Sequence, residues 1–199
     1  KNTISSNKKY TSNGKVASYI PELKKANQDD LGICIIDKNN NMYCAGDYNK
    51  KFTIQSISKP IVLALALMDN EWEYVFSKVG MEPSGDPFNS IMKLETNDTK
   101  KPCNPMINAG AIATTALIKG KDLQEKEERM ISFFRKLAKN DSLQINEDVY
   151  KSEKLTGDRN RAMGYLLKND GFIEGDVEEV LDLYFKQCSI EIDTVDLAR

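Results

Sequence analysis

The sequence contains no histidine. That absence excludes Ser-His-Asp and Cys-His nucleophile pairs, histidine-bearing zinc sites and any imidazole acid or base at neutral pH, so covalent chemistry must recruit another base. Cysteine is scarce. Cys34, Cys44, Cys103 and Cys188 are widely spread and form no CxxC pair, which argues against a thiolate zinc site or a disulfide-dense scaffold and for a reducing cytoplasm. Neither a metal nor a cofactor is expected. Long apolar runs are missing too: the longest, residues 61–68, is far below the roughly 20 residues of a membrane span, and no secretory segment opens the chain. No charge of one sign dominates either. Twenty-eight Lys plus Arg stand against 30 Asp plus Glu, a net charge of -2, so a nucleic-acid backbone is not the expected partner.

What remains is a globular composition. The 199 residues, 40% of them hydrophobic, suffice for one large domain or two small ones. Residues 1–14 are mostly Lys, Asn, Ser and Thr and read as a loose arm. Val16, Tyr19, Ile20 and Leu23 recur at helical spacing, interrupted by Pro21. Residues 31–36 and 42–45 flank the turn chemistry of 37–41 and predict a β-hairpin, with 51–54 as a third strand. After Ser56 the strands are expected to stop. Helical periodicity covers 57–68, 70–78, 107–118, 122–139, 146–154, 159–167 and 177–188, while 81–90 is a turn-rich loop. Asp193 or Thr194 is placed to cap a last short helix. Two or three strands with an open edge are marginal, so the reading expects further strands that these residues do not supply.

The chemistry concentrates where strands give way to helix, at Ser56-Ile57-Ser58-Lys59. Three residues of helical separation put the hydroxyl and the ammonium on one face, and a lysine whose pKa is lowered by burial can accept the serine proton. S-x-x-K also begins at Ser5, Ser6, Ser12 and Ser90, but only the match at Ser56 follows a strand-like segment and opens an apolar helix. Ser84 lacks an adjacent base and reads as part of a structural loop; Trp72 reads as a partly buried packing residue.

Longer motifs follow in order. They are Gln55 to Lys59, Glu82-Pro83-Ser84-Gly85-Asp86-Pro87-Phe88-Asn89, Asn104 to Ile112, Ser152-Glu153 with Gly157-Asp158-Arg159-Asn160, and Tyr184-Phe185 with Gln187-Cys188-Ser189-Ile190-Glu191. Together these resemble the successive motifs of the serine-dependent glutaminases, and Gly14 to Pro21 resembles that family's opening helix. The resemblance implies an α+β fold of the β-lactamase/transpeptidase type. Residues 1–55 would begin an α/β sheet domain, 56–192 form a helical domain, and 193–199 start a helix that returns to the sheet. It implies hydrolysis of L-glutamine to glutamate and ammonia through a glutamyl-serine ester, with Ser56 as nucleophile and Lys59 as its activating lysine. Asn108, Glu153, Asn160 and Tyr184 match positions that hold the substrate, with Gln55 and Tyr19 as further pocket-lining matches.

Those residue types suit free glutamine. Glu153 would take the amine, Asn108 and Asn160 would present amide donors to the carboxylate, and Tyr184 would position a polar group or shuttle a proton. Whether Lys59 or a tyrosine is the base stays open at this stage. So do plainer roles: Asn108 as a helix cap, Glu153 on a solvated helix face, Arg159 and Asn160 as turn residues and Tyr184 as core. The family pattern continues past Arg199 with strands and a Lys-Ser-Gly-Val-type segment, so these residues alone are expected to be inactive or nearly so. A homo-oligomer and a cytoplasmic location are implied, without nucleic acid or membrane. The alternatives are a penicillin-recognising acyl-serine enzyme, whose Ser-Asp-Asn and Lys-Thr-Gly segments do not occur here, and a non-catalytic helical interaction module.

Overall fold

The periodic stretches after residue 56 fold as helices, and short strands are threaded between them. The structure, a computed structural model, describes residues 2–96 and 99–199; Lys1, Asn97, Asp98 and the side chain of Lys93, the lysine of the Ser90 match, lie outside the described residues. The first third runs α1 (Asn2–Asn7), 3-10 turns at Lys8–Asn13 and Pro21–Lys25, β1 (Gly32–Ile36), β2 (Met42–Gly46), β3 (Phe52–Thr53) and a 3-10 turn at Gln55–Ile57. Then come α2 (Ser58–Asp69), α3 (Trp72–Lys78), α4 (Met92–Thr96), α5 (Asn108–Thr115) and α6 (Leu123–Ala138). The chain continues through β4 (Gln144–Ile145), α7 (Glu147–Thr156), α8 (Asp158–Asn169), α9 (Val177–Cys188), β5 (Ile190–Ile192) and α10 (Thr194–Ala198).

Two helices organise the packing. In α5 every residue from Ala109 to Thr115 is buried, and its Ala and Gly side chains are small enough to let α2, α8 and α9 approach together. Gly110 is required there, since a Cβ would lie 1.9 Å from the Asn104 carbonyl oxygen in the turn ahead of the helix. Helix α9 buries residues around most of its circumference and touches α5, α6, α7 and α8. One apolar cluster joins α5, α8 and α9 through Ile112, Met163, Leu181 and Phe185. A second joins α2 and α6 to the small sheet through Val62, Met130, Phe134 and Ile190. Side-chain caps open α6, α7, α9 and α10. Asp122, Asn146, Asp176 and Asp193 each accept a hydrogen bond from a first-turn amide, and Asp193 completes a capping box with Asp196.

The β-hairpin forms as expected, with Gly32 to Ile36 facing Gly46 to Met42. Four other expectations are corrected. Strands do not stop at Ser56: β5 lies between β3 and β4 in an antiparallel sheet, so β3 pairs with the C-terminal strand and not with the hairpin. Strands of two or three residues are too short to show a period of two. The arm is not loose, because residues 2–13 coil into α1 and a 3-10 turn, tied down by the Lys8–Asp47 ion pair at 3.1 Å and by Thr11 Oγ1 donating to Asp29. The apolar spacing of 16–23 does not produce an α-helix. Pro21 opens a 3-10 turn in its place, with Ile20 the one buried residue of that stretch. Trp72 is 54% exposed and packs at a tilt of 48° against Phe76, their ring centres 4.3 Å apart.

The glycine at the centre of the packing supplies a stability test. Gly110→Ala forces Cβ into backbone and is expected to cost about 2–3 kcal/mol, whereas Gly85→Ala, with open space around its Cβ, leaves stability nearly unchanged. Equal melting temperatures for the two variants would contradict the packing described here.

Candidate active site

The junction from β3 to α2 is a tight turn. Gln55 takes a left-handed backbone, φ 48°, which a side chain adopts at a cost of about 1–3 kcal/mol unless its surroundings hold it. Here a buried relay does so. Thr115 Oγ1 donates to Gln187 Oε1 (2.9 Å), Gln187 Nε2 donates to Ser58 Oγ (3.0 Å), and Ser58 Oγ donates to the Gln55 carbonyl (2.7 Å). Gln55 Nε2 adds hydrogen bonds to Thr53 Oγ1 and to the Cys188 carbonyl, both 3.3 Å. The turn leaves Ser56 exposed, two residues before the first residue of α2. Pro60 fits without conflict, because it is the third residue of α2 and its missing N–H belongs to a turn whose amides lack helical partners anyway.

Lys59 points into the protein and is only 3% exposed. Its Nζ donates to the Met106 carbonyl (2.9 Å) and to Asn108 Oδ1 (2.8 Å), joining α2 to the start of α5. Asn108 is the first residue of α5 and not its cap, which is Ile107. Once its Oδ1 accepts from Lys59, its Nδ2 is the group that donates to Asn160 Oδ1 at 3.1 Å, and Asn160 is left with its own Nδ2 for a further acceptor. One lysine therefore orients two amides in series.

A cavity of about 290 Å³ opens beside this chain. Tyr19, Gln55, Ser56, Asn108, Glu153, Asn160 and Tyr184 all line it, so seven of the eight residues singled out from sequence meet in one place. Lys59, the eighth, stands behind the wall on Asn108. Glu153 is not on a solvated face. It is 7% exposed, with Oε2 buried and without a hydrogen-bond partner. Tyr184 is 2% exposed and serves both core and cavity.

The electrostatics follow from burial. Desolvation pushes the Glu153 carboxyl up to about 8, against hydrogen bonds from Gln55 and Cys188 and the nearby charge of Lys59. Desolvation moves Lys59 the other way, below its ordinary value, with Cys188 and Glu153 opposing the shift. The Tyr184 phenol is raised well above 10 by burial and by Cys188 and Glu153, so it stays protonated at neutral pH. A neutral Lys59 amine can satisfy both of its acceptors with two N–H bonds and keep its lone pair for an incoming proton.

Several cavity residues escape a reading based on residue type. Arg159 is more than a turn residue: it lines the cavity and its Nε donates to the Asn89 carbonyl (2.7 Å). Phe88 and Asn89 bring the 82–89 loop onto the cavity wall, with the Phe88 ring 5.8 Å from Lys59 Nζ. Gln187 and Cys188 belong to a quoted motif, which was the available signal; Thr115 had none. Ser84 keeps its structural role, its Oγ accepting from the Asp86 amide. At the competing S-x-x-K matches, Ser6 and Ser12 hydroxyls donate to carbonyls of their own turns.

Glu153 makes stability depend on pH. Its folded pKa lies above its ordinary 4.5, so the folded state holds more protons between 4.5 and about 8 and loses stability as pH rises through that window. Glu153→Gln is expected to melt higher than the parent at pH 8 and above, with the gap closing toward pH 4.5. Thermal melts of the two proteins across that range check the sign.

Among the described residues, no helix is long and apolar enough to cross a membrane. The model of the family described as Glutaminase matches residues 14–199. A curated glutaminase of Clostridioides difficile is 80% identical over all 199 residues, which span 64% of that protein's length. A solved structure of a probable Bacillus subtilis glutaminase superposes with a TM-score of 0.88 at 40% identity, covering 98% of this chain and 59% of that one. A Bacillus subtilis probable glutaminase complexed with 6-diazo-5-oxo-L-norleucine superposes at 0.84 and 38% identity, covering 98% of this chain and 58% of that one. The match runs through the Ser56 turn, the two amides, the buried carboxylate and the last motif alike, and the chain belongs to the glutaminase family.

Proposed function

We propose that this chain carries the nucleophile, the base and the amine-binding wall of a site that hydrolyses the side-chain amide of L-glutamine. The observation that carries this reading is Glu153 Oε2, a buried carboxylate oxygen without a partner, in the same cavity as Ser56 and two oriented amides. A buried acceptor in that position calls for a cationic donor, and the α-ammonium of glutamine is one. The free Nδ2 of Asn160 and the guanidinium of Arg159 suit the α-carboxylate.

In this reading Ser56 Oγ attacks the side-chain carbonyl carbon of glutamine while its proton passes to Lys59. The tetrahedral intermediate collapses as Lys59 returns that proton to the leaving nitrogen, ammonia departs, and a glutamyl-Ser56 ester remains. Water attacks the ester with Lys59 again taking the proton, and glutamate leaves as Ser56 is reprotonated. Lys59 is favoured over Tyr184 as the base because burial lowers the lysine's affinity for a proton and raises the phenol's. Tyr184 then acts as a donor. The division into residues 1–55, 56–192 and 193–199, a homo-oligomeric assembly and a cytoplasmic location belong to this proposal on the family resemblance alone.

Labelling is read on the chain itself. Incubated with 6-diazo-5-oxo-L-norleucine and mapped by peptide mass spectrometry, it is expected to carry the adduct on Ser56, and Ser56→Ala to carry none; an adduct elsewhere, or undiminished in Ser56→Ala, overturns the reading. Because the chain spans 64% of its curated relative, turnover is followed after joining it to the remaining third of the Clostridioides difficile protein. There Glu153→Gln is expected to raise KM for glutamine about 10- to 100-fold with a much smaller change in kcat.

A further inference from the structure

The hairpin brings together two cysteines that lie ten positions apart. Cys34 on β1 and Cys44 on β2 are direct cross-strand partners, and their Sγ atoms are 3.0 Å apart with both thiols free and half-buried. The hydrogen bonds from Asp47 N to the Leu31 carbonyl and from Asp37 N to the Asn41 carbonyl fall on the odd-numbered residues that flank β1, and they set the alternation of the ladder between them. Cys34 and Cys44 therefore occupy a non-hydrogen-bonded pair, the kind in which the two Cα atoms stand about 4.5 Å apart and the side chains converge. That spacing lies inside the range a disulfide spans, about 4.4–6.8 Å.

The register that creates this pair is held firmly. The Asp37 carboxylate accepts from the amides of Asn39 and Asn41 and from Asn41 Nδ2, and Asn40 takes the left-handed turn at φ 61°. At the other end Asp47 accepts from the Leu31 amide and from Lys8. A slip by one residue would separate the thiols, and both turn and base resist it.

We propose that Cys34 and Cys44 form a redox site that closes as a cross-strand disulfide on reaction with a small-molecule disulfide. One thiolate attacks the small disulfide, giving a mixed disulfide and one small thiol. The second cysteine attacks the mixed disulfide and releases the other small thiol. Two electrons and two protons pass to the small disulfide, and one S–S bond staples the hairpin. Attack from Cys34 is slow at neutral pH. Burial, the Cys44 thiol beside it and Asp193 ahead of α10 raise the Cys34 thiol to about 11, Arg199 at the end of α10 opposing, so closure quickens as pH rises.

The test exposes the full chain to oxidised glutathione, quenches free thiols with an alkylating agent under denaturing conditions and maps the peptides. The expected product has lost two hydrogens, links the Cys34 and Cys44 peptides, carries alkyl groups on Cys103 and Cys188 and reverts with dithiothreitol. It is expected to melt about 5 °C higher than the reduced protein. Cys34→Ser and Cys44→Ser should each stop at the open or mixed-disulfide stage. Cys34 and Cys44 both still alkylated, a lasting glutathione adduct on either in the parent protein, or a link from either to Cys103 or Cys188 overturns the proposal. Closure without any rise in melting temperature overturns the stapling.

Discussion

The site is organised around one buried lysine. Lys59 reaches from the second position of α2 to Asn108 at the start of α5, and through Asn108 it orients Asn160 on α8. Lysine and the two amides thus share one hydrogen-bonded line across three helices. The same burial that makes this line a mechanical link lowers the proton affinity of the lysine, so a single packing arrangement serves both geometry and reactivity.

Such a site is held against local cost. Gln55 sits in a left-handed backbone, Glu153 has a buried oxygen with no partner, and Lys59 is a desolvated amine. The two buried groups would not persist on an exposed loop. All three persist here because α5 and α9 form a closely packed centre, and because Thr115, Gln187 and Ser58, all buried, fix the turn from behind. The same polar groups that weaken the empty fold are those a zwitterionic amino acid would satisfy.

How much of this was legible in the sequence depended on length and on neighbours. Helices α6 and α9 were readable to within a residue because both are long, periodic and opened by an aspartate that caps them. Strands β4 and β5 were not, because two or three residues flanked by helices leave no alternation to detect, and the pairing of β5 with β3 joins positions about 140 apart. The site behaved in the same way. Glu153 within Lys-Ser-Glu-Lys has the local pattern of a solvated residue, and only the order of the longer motifs singled it out. Arg159 was misjudged and Phe88 passed over because each acts through the 82–89 loop, whose course the local sequence does not specify. The Cys34–Cys44 contact was hidden for a related reason, since it depends on hairpin register and not on spacing.

The central claim is that burial primes Lys59 to give up its proton. An NMR titration of the lysine side chains, with the Lys59 signal assigned by its loss in Lys59→Met, measures this directly. The account predicts a Lys59 midpoint below the ordinary lysine value of 10.5. A midpoint at or above that value would mean that the cation is held as tightly as on a surface, and would contradict its role as the base.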